Sequence, residues 1–342
     1  MLRGISAWVI SAICLVAAVG CGSGRNGAAS VAGRADCNGV YYWKTVFSLD
    51  STDTAFLERY DIGRLYVRFF DVDYDGMVVP MASTRFQCAK PEGVEIVPAV
   101  FITVPTIRAM KDEKELADHI VTRVLNMADY HDLGPVREMQ LDCDWTETTR
   151  DAYYRLCAAV HDILAPQGIL LSSTIRLHQL SQAVPPVDCG VLMLYNTGAI
   201  PLPQTKNSIL DEADVKSYLK GRPVAYDLPL DFAYPVYGWG VLFRGGEYVG
   251  ILHETDFSDE ALYQREENGY YSVVSAHILE GRALVPGDRI RLEFPSAGTI
   301  GLVQDLVDAA FPSAPHSTIL YHLDSSNLSH YTDDEIHAIY SR

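Results

Sequence analysis

The chain has 342 residues, long enough for one large domain or two ordinary ones, and 48% of them are hydrophobic against 21% charged. Those proportions are globular, with a sizeable core. A formal net charge of −17 argues against a nucleic-acid partner, because phosphate binding needs a basic face.

Arg3 precedes the apolar run ISAWVISAICLVAAVG, which is followed by Cys21 and GSGRNGAAS. A basic start, a short apolar region and small residues before the cut predict an export signal over residues 1–20. The small residues ending in Gly20-Cys21 resemble a bacterial lipobox, which implies lipidation of Cys21. Residues 21–36 then read as a flexible tether, and an outer-membrane lipoprotein of the cell envelope is the expected localisation. Beyond Cys21, the mature chain has Cys37, Cys88, Cys143, Cys157 and Cys189. Their spacing matches no zinc pattern and no metal or cofactor is expected. Cys143, Cys157 and Cys189 sit among apolar residues and read as buried thiols, while a Cys37–Cys88 bridge would need an oxidising compartment.

From residue 37 onwards short apolar runs mostly alternate with helical patterns. Strands are predicted at 39–49, 64–73, 94–104, from Met139, at 168–177, 189–197, 222–230 and 317–326. Helices are predicted over STDTAFLERYDI, over DEKELADHIVTRVLNMADY with Leu116, Ile120, Val124 and Met127 in one stripe, and over TRDAYYRLCAAVHDILA. Another is DEADVKSYLKG, and a last one has a capping box at Thr332 and Glu335. Eight strands in this order predict an α/β fold, a single (β/α)8 barrel of the TIM type spanning 37–342. An open doubly wound sheet is the alternative, but no strand is followed by a glycine-rich phosphate turn. Residues 231–316 are too long for one strand–helix unit and read as an insertion between strands seven and eight. Within it, WGVLFRGGEYVGIL predicts a hairpin turning at Gly245-Gly246, with GDRIRLEF as a later strand.

Barrel active sites lie at the C-terminal ends of the strands, so polar residues there are the functional candidates. They are Lys44; Arg68, Asp71 and Asp73; Asp142, Asp144 and Glu147; Arg176 and His178; Tyr195 and Asn196; Tyr226 and Asp227; His322 and Asp324. Alternation puts Gln140, Asp142 and Asp144 on one face and Leu141 and Cys143 on the other. Asp142 is read as a buried partner of Arg68. Asp144 is read as the substrate contact, with Glu147 or Asp227 as the second carboxylate of a glycosidase pair. Trp145, Tyr195, Tyr226 and the aromatic run 232–240 would stack on sugar faces.

LDCDWTE and LMLYN resemble the paired signatures of family-18 chitinase-type glycosidases, an alternating acidic strand four and a Met-x-Tyr-Asp/Asn end of strand six. The resemblance implies a TIM barrel acting on a glycan, with Met193, Tyr195 and Asn196 matching the second motif. That family's acid would fall at Thr146, and Glu147 is displaced from it by one. More of the chain, from YYWKTVFSLDSTDTAFL to LDCDWTETTRDAYYRL, resembles exported Bacteroidetes-type proteins grouped with glycosidase-type barrels and having no assigned reaction. The substitution at Thr146 opens a rival expectation, a tethered glycan-binding or structural envelope protein without turnover.

Overall fold

The computed structural model describes residues 37–220, 223–312 and 316–342. Eight parallel strands form a closed barrel: β1 (Asn38–Tyr42), β2 (Ile62–Tyr74), β3 (Glu95–Ile102), β4 (Glu138–Asp142), β5 (Leu170–Arg176), β6 (Cys189–Met193), β7 (Leu230–Pro235) and β8 (Thr318–Tyr321). β1 pairs with both β8 and β2, which closes the ring and leaves no open edge. The predicted α/β TIM-type barrel with an insertion between strands seven and eight is the observed fold.

The helices lie outside this ring: α1 (Ser51–Arg59), α2 (Glu113–Tyr130), α3 (Arg150–Leu164), α4 (Glu212–Leu219), α5 (Ala297–Ala310) and α6 (Asp333–Tyr340). Asp50, Asp112, Asp211, Ser296 and Thr332 begin five of them by accepting backbone N–H groups. The expected stripe of α2 is buried at Leu116, Ile120 and Val124, and that of α3 at Tyr153, Leu156 and Val160. Two connections carry no long helix. β2 folds back through the strand Val78–Met81, and β5 leads to β6 through the 3-10 turn Leu177–Ser181.

Outward residues such as Val40, Leu65, Met139, Leu141, Phe232 and Leu320 pack against the helices, whereas Tyr41, Tyr66, Val97, Val191, Ala233 and Ile319 fill the inside. At the strand starts the interior holds charge. The fully buried Arg64 faces Glu95 at 3.8 Å, Glu138 at 4.0 Å and Asp231 at 3.7 Å.

The insertion is an antiparallel five-stranded sheet in which Trp239–Arg244 pairs with both Glu247–Leu252 and Arg289–Glu293. Its first hairpin turns at Gly245 and Gly246, both at positive φ, as the two-residue glycine turn predicts. Cys143, Cys157 and Cys189 are buried thiols, and no disulfide joins Cys37 to Cys88.

Removing the guanidinium at the barrel base leaves buried carboxylates without their cation. Arg64→Met is expected to cost about 3–5 kcal/mol of stability, read by urea denaturation.

Candidate functional site

Inward-facing residues at the strand ends form the mouth, and alternation along β4 sets its centre. Glu138, Gln140 and Asp142 point inward in rising layers, while Met139 and Leu141 pack on the helices. Asp142 is 4% exposed and accepts from the Thr174 hydroxyl of β5 at 2.7 Å. Burial pushes its carboxyl up to about 6, against the pull of the Arg176 charge and the Thr174 hydrogen bond. One layer higher, Asp144 is exposed and accepts from Arg176 Nε at 2.6 Å.

Arg176 lies over the ring of Tyr195, 5.7 Å from its centre. Tyr195 stacks on Tyr321 at 4.8 Å between ring centres, and Tyr237 meets both edge-on at 6.2 and 5.6 Å. The Tyr195 hydroxyl is buried without a hydrogen-bond partner in the protein, and burial pushes its phenol well above the usual value. Asn196 takes a left-handed conformation at φ 55° and accepts from the Tyr237 hydroxyl at 2.8 Å. Below them Tyr41 donates to Gln140 Oε1 at 2.8 Å, leaving the Gln140 amide nitrogen buried without a partner. At the rim, Lys44 pairs with Asp324 at 2.9 Å, and Trp43 lies beside Arg68 and Tyr321. Burial alone would raise the Asp324 carboxyl, but Lys44 and Ser326 hold it down at about 2.

Several expected positions are corrected. Arg68 pairs with Asp71 through Nε at 2.8 Å and a second, shorter contact from Nη2, and Asp142 has Arg176 as its cation instead. The cause is a β-bulge in β2 between Arg68 and Phe70, which puts residues three apart on one face. Trp145 is buried in the outer layer against Tyr153 and Tyr154, so it is no sugar platform. Tyr226 and Asp227 precede β7, whose first residue Leu230 lies opposite Gly190 near the start of β6. They therefore sit at the end of the barrel away from Asp144.

Glu147 is exposed in the turn before α3, where Arg150 is a charged neighbour. Thr146 lies in the same turn, its amide donating to Thr149 Oγ1 at 2.9 Å. His322 follows Tyr321 in β8, and its buried Nδ1 has no hydrogen-bond partner. Burial, then the Lys44 charge, lowers its imidazole, with Asp324 opposing. The structure thus gathers Asp142, Asp144, Tyr195 and Asn196 at one mouth, with Arg68 and His322 around it. Cys21 lies outside the described residues. Sequence reasoning missed Thr174, Tyr321 and Trp43 as part of this site.

Comparison with solved structures finds barrels of similar fold. Group IV chitinase from Ostrinia furnacalis matches with a TM-score of 0.52 at 11% identity, covering 90% of this chain and 100% of that one. A chitinase from Chromobacterium violaceum matches with a TM-score of 0.51 at 14% identity, covering 90% of this chain and 98% of that one. No protein-family model and no curated protein matches the chain. At such identities the likeness concerns the fold, and function must be argued from the mouth itself.

The Asp142 carboxyl gives a pH signature. The folded state holds its proton up to about 6 and an unfolded aspartate only to about 3.9. The folded state therefore binds more protons between these values, and its stability falls as pH rises through them. Asp142→Asn removes this loss. Its stability relative to wild type should improve by on the order of 2 kcal/mol between pH 4 and pH 7, measured by urea denaturation across that range.

Proposed function

We propose that the protein binds a glycan at this mouth and is held to the cell envelope by a lipid on Cys21. The observation that carries the glycan reading is the Asp144–Arg176 pair beside the Tyr195, Tyr321 and Tyr237 rings. The pair offers fixed hydrogen-bond acceptors and donors to hydroxyls, and the rings offer apolar faces to a sugar's C–H surface. The buried, unpartnered Tyr195 hydroxyl adds a donor that a bound acceptor would satisfy. Since two barrels of like fold are chitinases, the N-acetylglucosamine hexamer is the first probe.

A second reading, hydrolysis, is favoured by Asp142. A carboxyl that keeps its proton up to about 6 beside a salt-bridged aspartate has the asymmetry that glycosidase pairs use. Against it stands Thr146, a hydroxyl held by the start of α3 where the resemblance puts an acid.

Calorimetry with the hexamer tests the binding reading, and Asp144→Asn should weaken affinity on the order of tenfold by breaking a charged hydrogen bond. Wild-type protein that shows no heat at millimolar hexamer, or Asp144→Asn with unchanged affinity, would defeat this assignment. Mass spectrometry after prolonged incubation separates the two readings. Shorter sugars lost on Asp142→Asn support hydrolysis, and an intact hexamer leaves binding alone.

A further inference from the structure

Glu293, the last residue of the strand Arg289–Glu293 in the insertion, is 1% exposed. Its Oε2 accepts from Trp239 Nε1 at 2.8 Å, from the Ser208 amide at 2.9 Å and from the Ser208 hydroxyl. Its Oε1 accepts from Arg291 Nε at 2.6 Å. Arg291 in turn donates to the carbonyls of Leu202 at 2.7 Å and Ile200 at 3.0 Å. Nearby, Tyr270 of the insertion donates to the Pro203 carbonyl at 2.7 Å. These contacts tie the insertion to the segment between β6 and α4, the segment that contains Asn196.

A second line runs from Glu293 to the mouth. The Trp239 ring, oriented by its bond to Glu293, packs edge-on against Tyr237 at 5.5 Å between centres. Tyr237 packs on Tyr195 and Tyr321 and donates to Asn196. The backbone between Tyr237 and Trp239 is equally constrained. A Cβ on Gly238 would lie 2.3 Å from the Phe294 ring and 2.8 Å from the Glu293 carbonyl oxygen. Both ends of the aromatic wall, Tyr237 from the β7 side and Asn196 from the β6 side, are thus referred to one buried carboxylate.

We infer that Glu293 is a positioning residue that sets the aromatic wall of the mouth from within the insertion, through Trp239 and the 196–211 segment. It touches no ligand. Its effect on binding passes through where Tyr237 and Asn196 stand. A buried carboxylate with four donors has one low-energy orientation, so it transmits position where a purely apolar contact would allow sliding. The affinity part of this inference rests on the proposed glycan site, and the positional part does not.

The test uses Glu293→Gln and Trp239→Phe in the full chain, with Arg244→Met as a control. Arg244 pairs with Asp288 elsewhere in the insertion, so its loss weakens the insertion without addressing the wall. The ligand-free readout is the side-chain amide resonance of Asn196 by NMR. It should move in Glu293→Gln and Trp239→Phe and stay in place in Arg244→Met. The second readout is affinity for the N-acetylglucosamine hexamer, expected to fall on the order of tenfold in the first two variants and to hold in the control. An unmoved Asn196 resonance in both variants overturns the inference, as does an equal response in Arg244→Met. Wild-type protein that ignores the hexamer defeats the glycan reading instead, and the Asn196 resonance then decides the positional claim. If Glu293→Gln does not fold, Trp239→Phe, which keeps one aromatic ring while removing the indole N–H and part of the ring volume, carries both readouts.

Discussion

Closure of the barrel is the constraint on which the rest depends. Because β1 pairs with both β8 and β2, every second strand residue points into an enclosed space. A polar group there must find a partner or bear the cost of desolvation. The strand starts meet this with Arg64 among three carboxylates, and the middle with Tyr41 bonded to Gln140. The pattern is incomplete in the middle, where the Gln140 amide nitrogen has no hydrogen-bond partner, and again at the strand ends, where the Tyr195 hydroxyl has none.

The same enclosure separates the two aspartates of β4 and its extension. They are two residues apart on one face, yet one is sealed under the mouth and the other is exposed. Arg176 serves both, by contact with Asp144 and at longer range with Asp142. Depth therefore outweighs the shared cation. Desolvation raises the Asp142 carboxyl although a guanidinium stands near, because a contact to Asp144 holds that guanidinium one layer higher. The Tyr195 ring lies beneath it.

Much of this was legible in the sequence, and the failures have physical causes. Alternation along 138–142 correctly put Gln140 and Asp142 inside, because the strand is regular and both its faces are buried. The same rule gives Trp145 the parity of Leu141 and Cys143, so its place in the outer layer was readable. Arg68 defeated alternation, since the bulge after it is invisible without its partner strand. For strand seven, RPVAYDLPL looked apolar enough, yet Pro223 and Pro229 interrupt it, whereas LDFAYP runs unbroken to its final proline. Taking the wrong run moved Tyr226 and Asp227 to the opposite end of the barrel. Thr174 and Tyr321 gave no local signal, because their roles arise only when β4 meets β5 and β6 meets β8 across the ring.

The insertion completes this logic. A barrel of parallel strands fixes the direction of the inward side chains but leaves the loops beyond the strand ends without a ladder to hold them. Here the segment after β6 leaves Asn196 in a left-handed conformation, bonded to the Tyr237 hydroxyl. The five-stranded sheet supplies the missing reference. It starts at Trp239, close to the last residue of β7, and brings Glu293 back beside it through the pairing of Trp239 with Glu293 across the sheet. That register places the Trp239 donor and the Glu293 acceptor on neighbouring strands, and it does so at the point where the Ser208 segment passes. A sheet inserted between strands seven and eight is thereby coupled to the loop after strand six, and the aromatic wall between them is held from both sides.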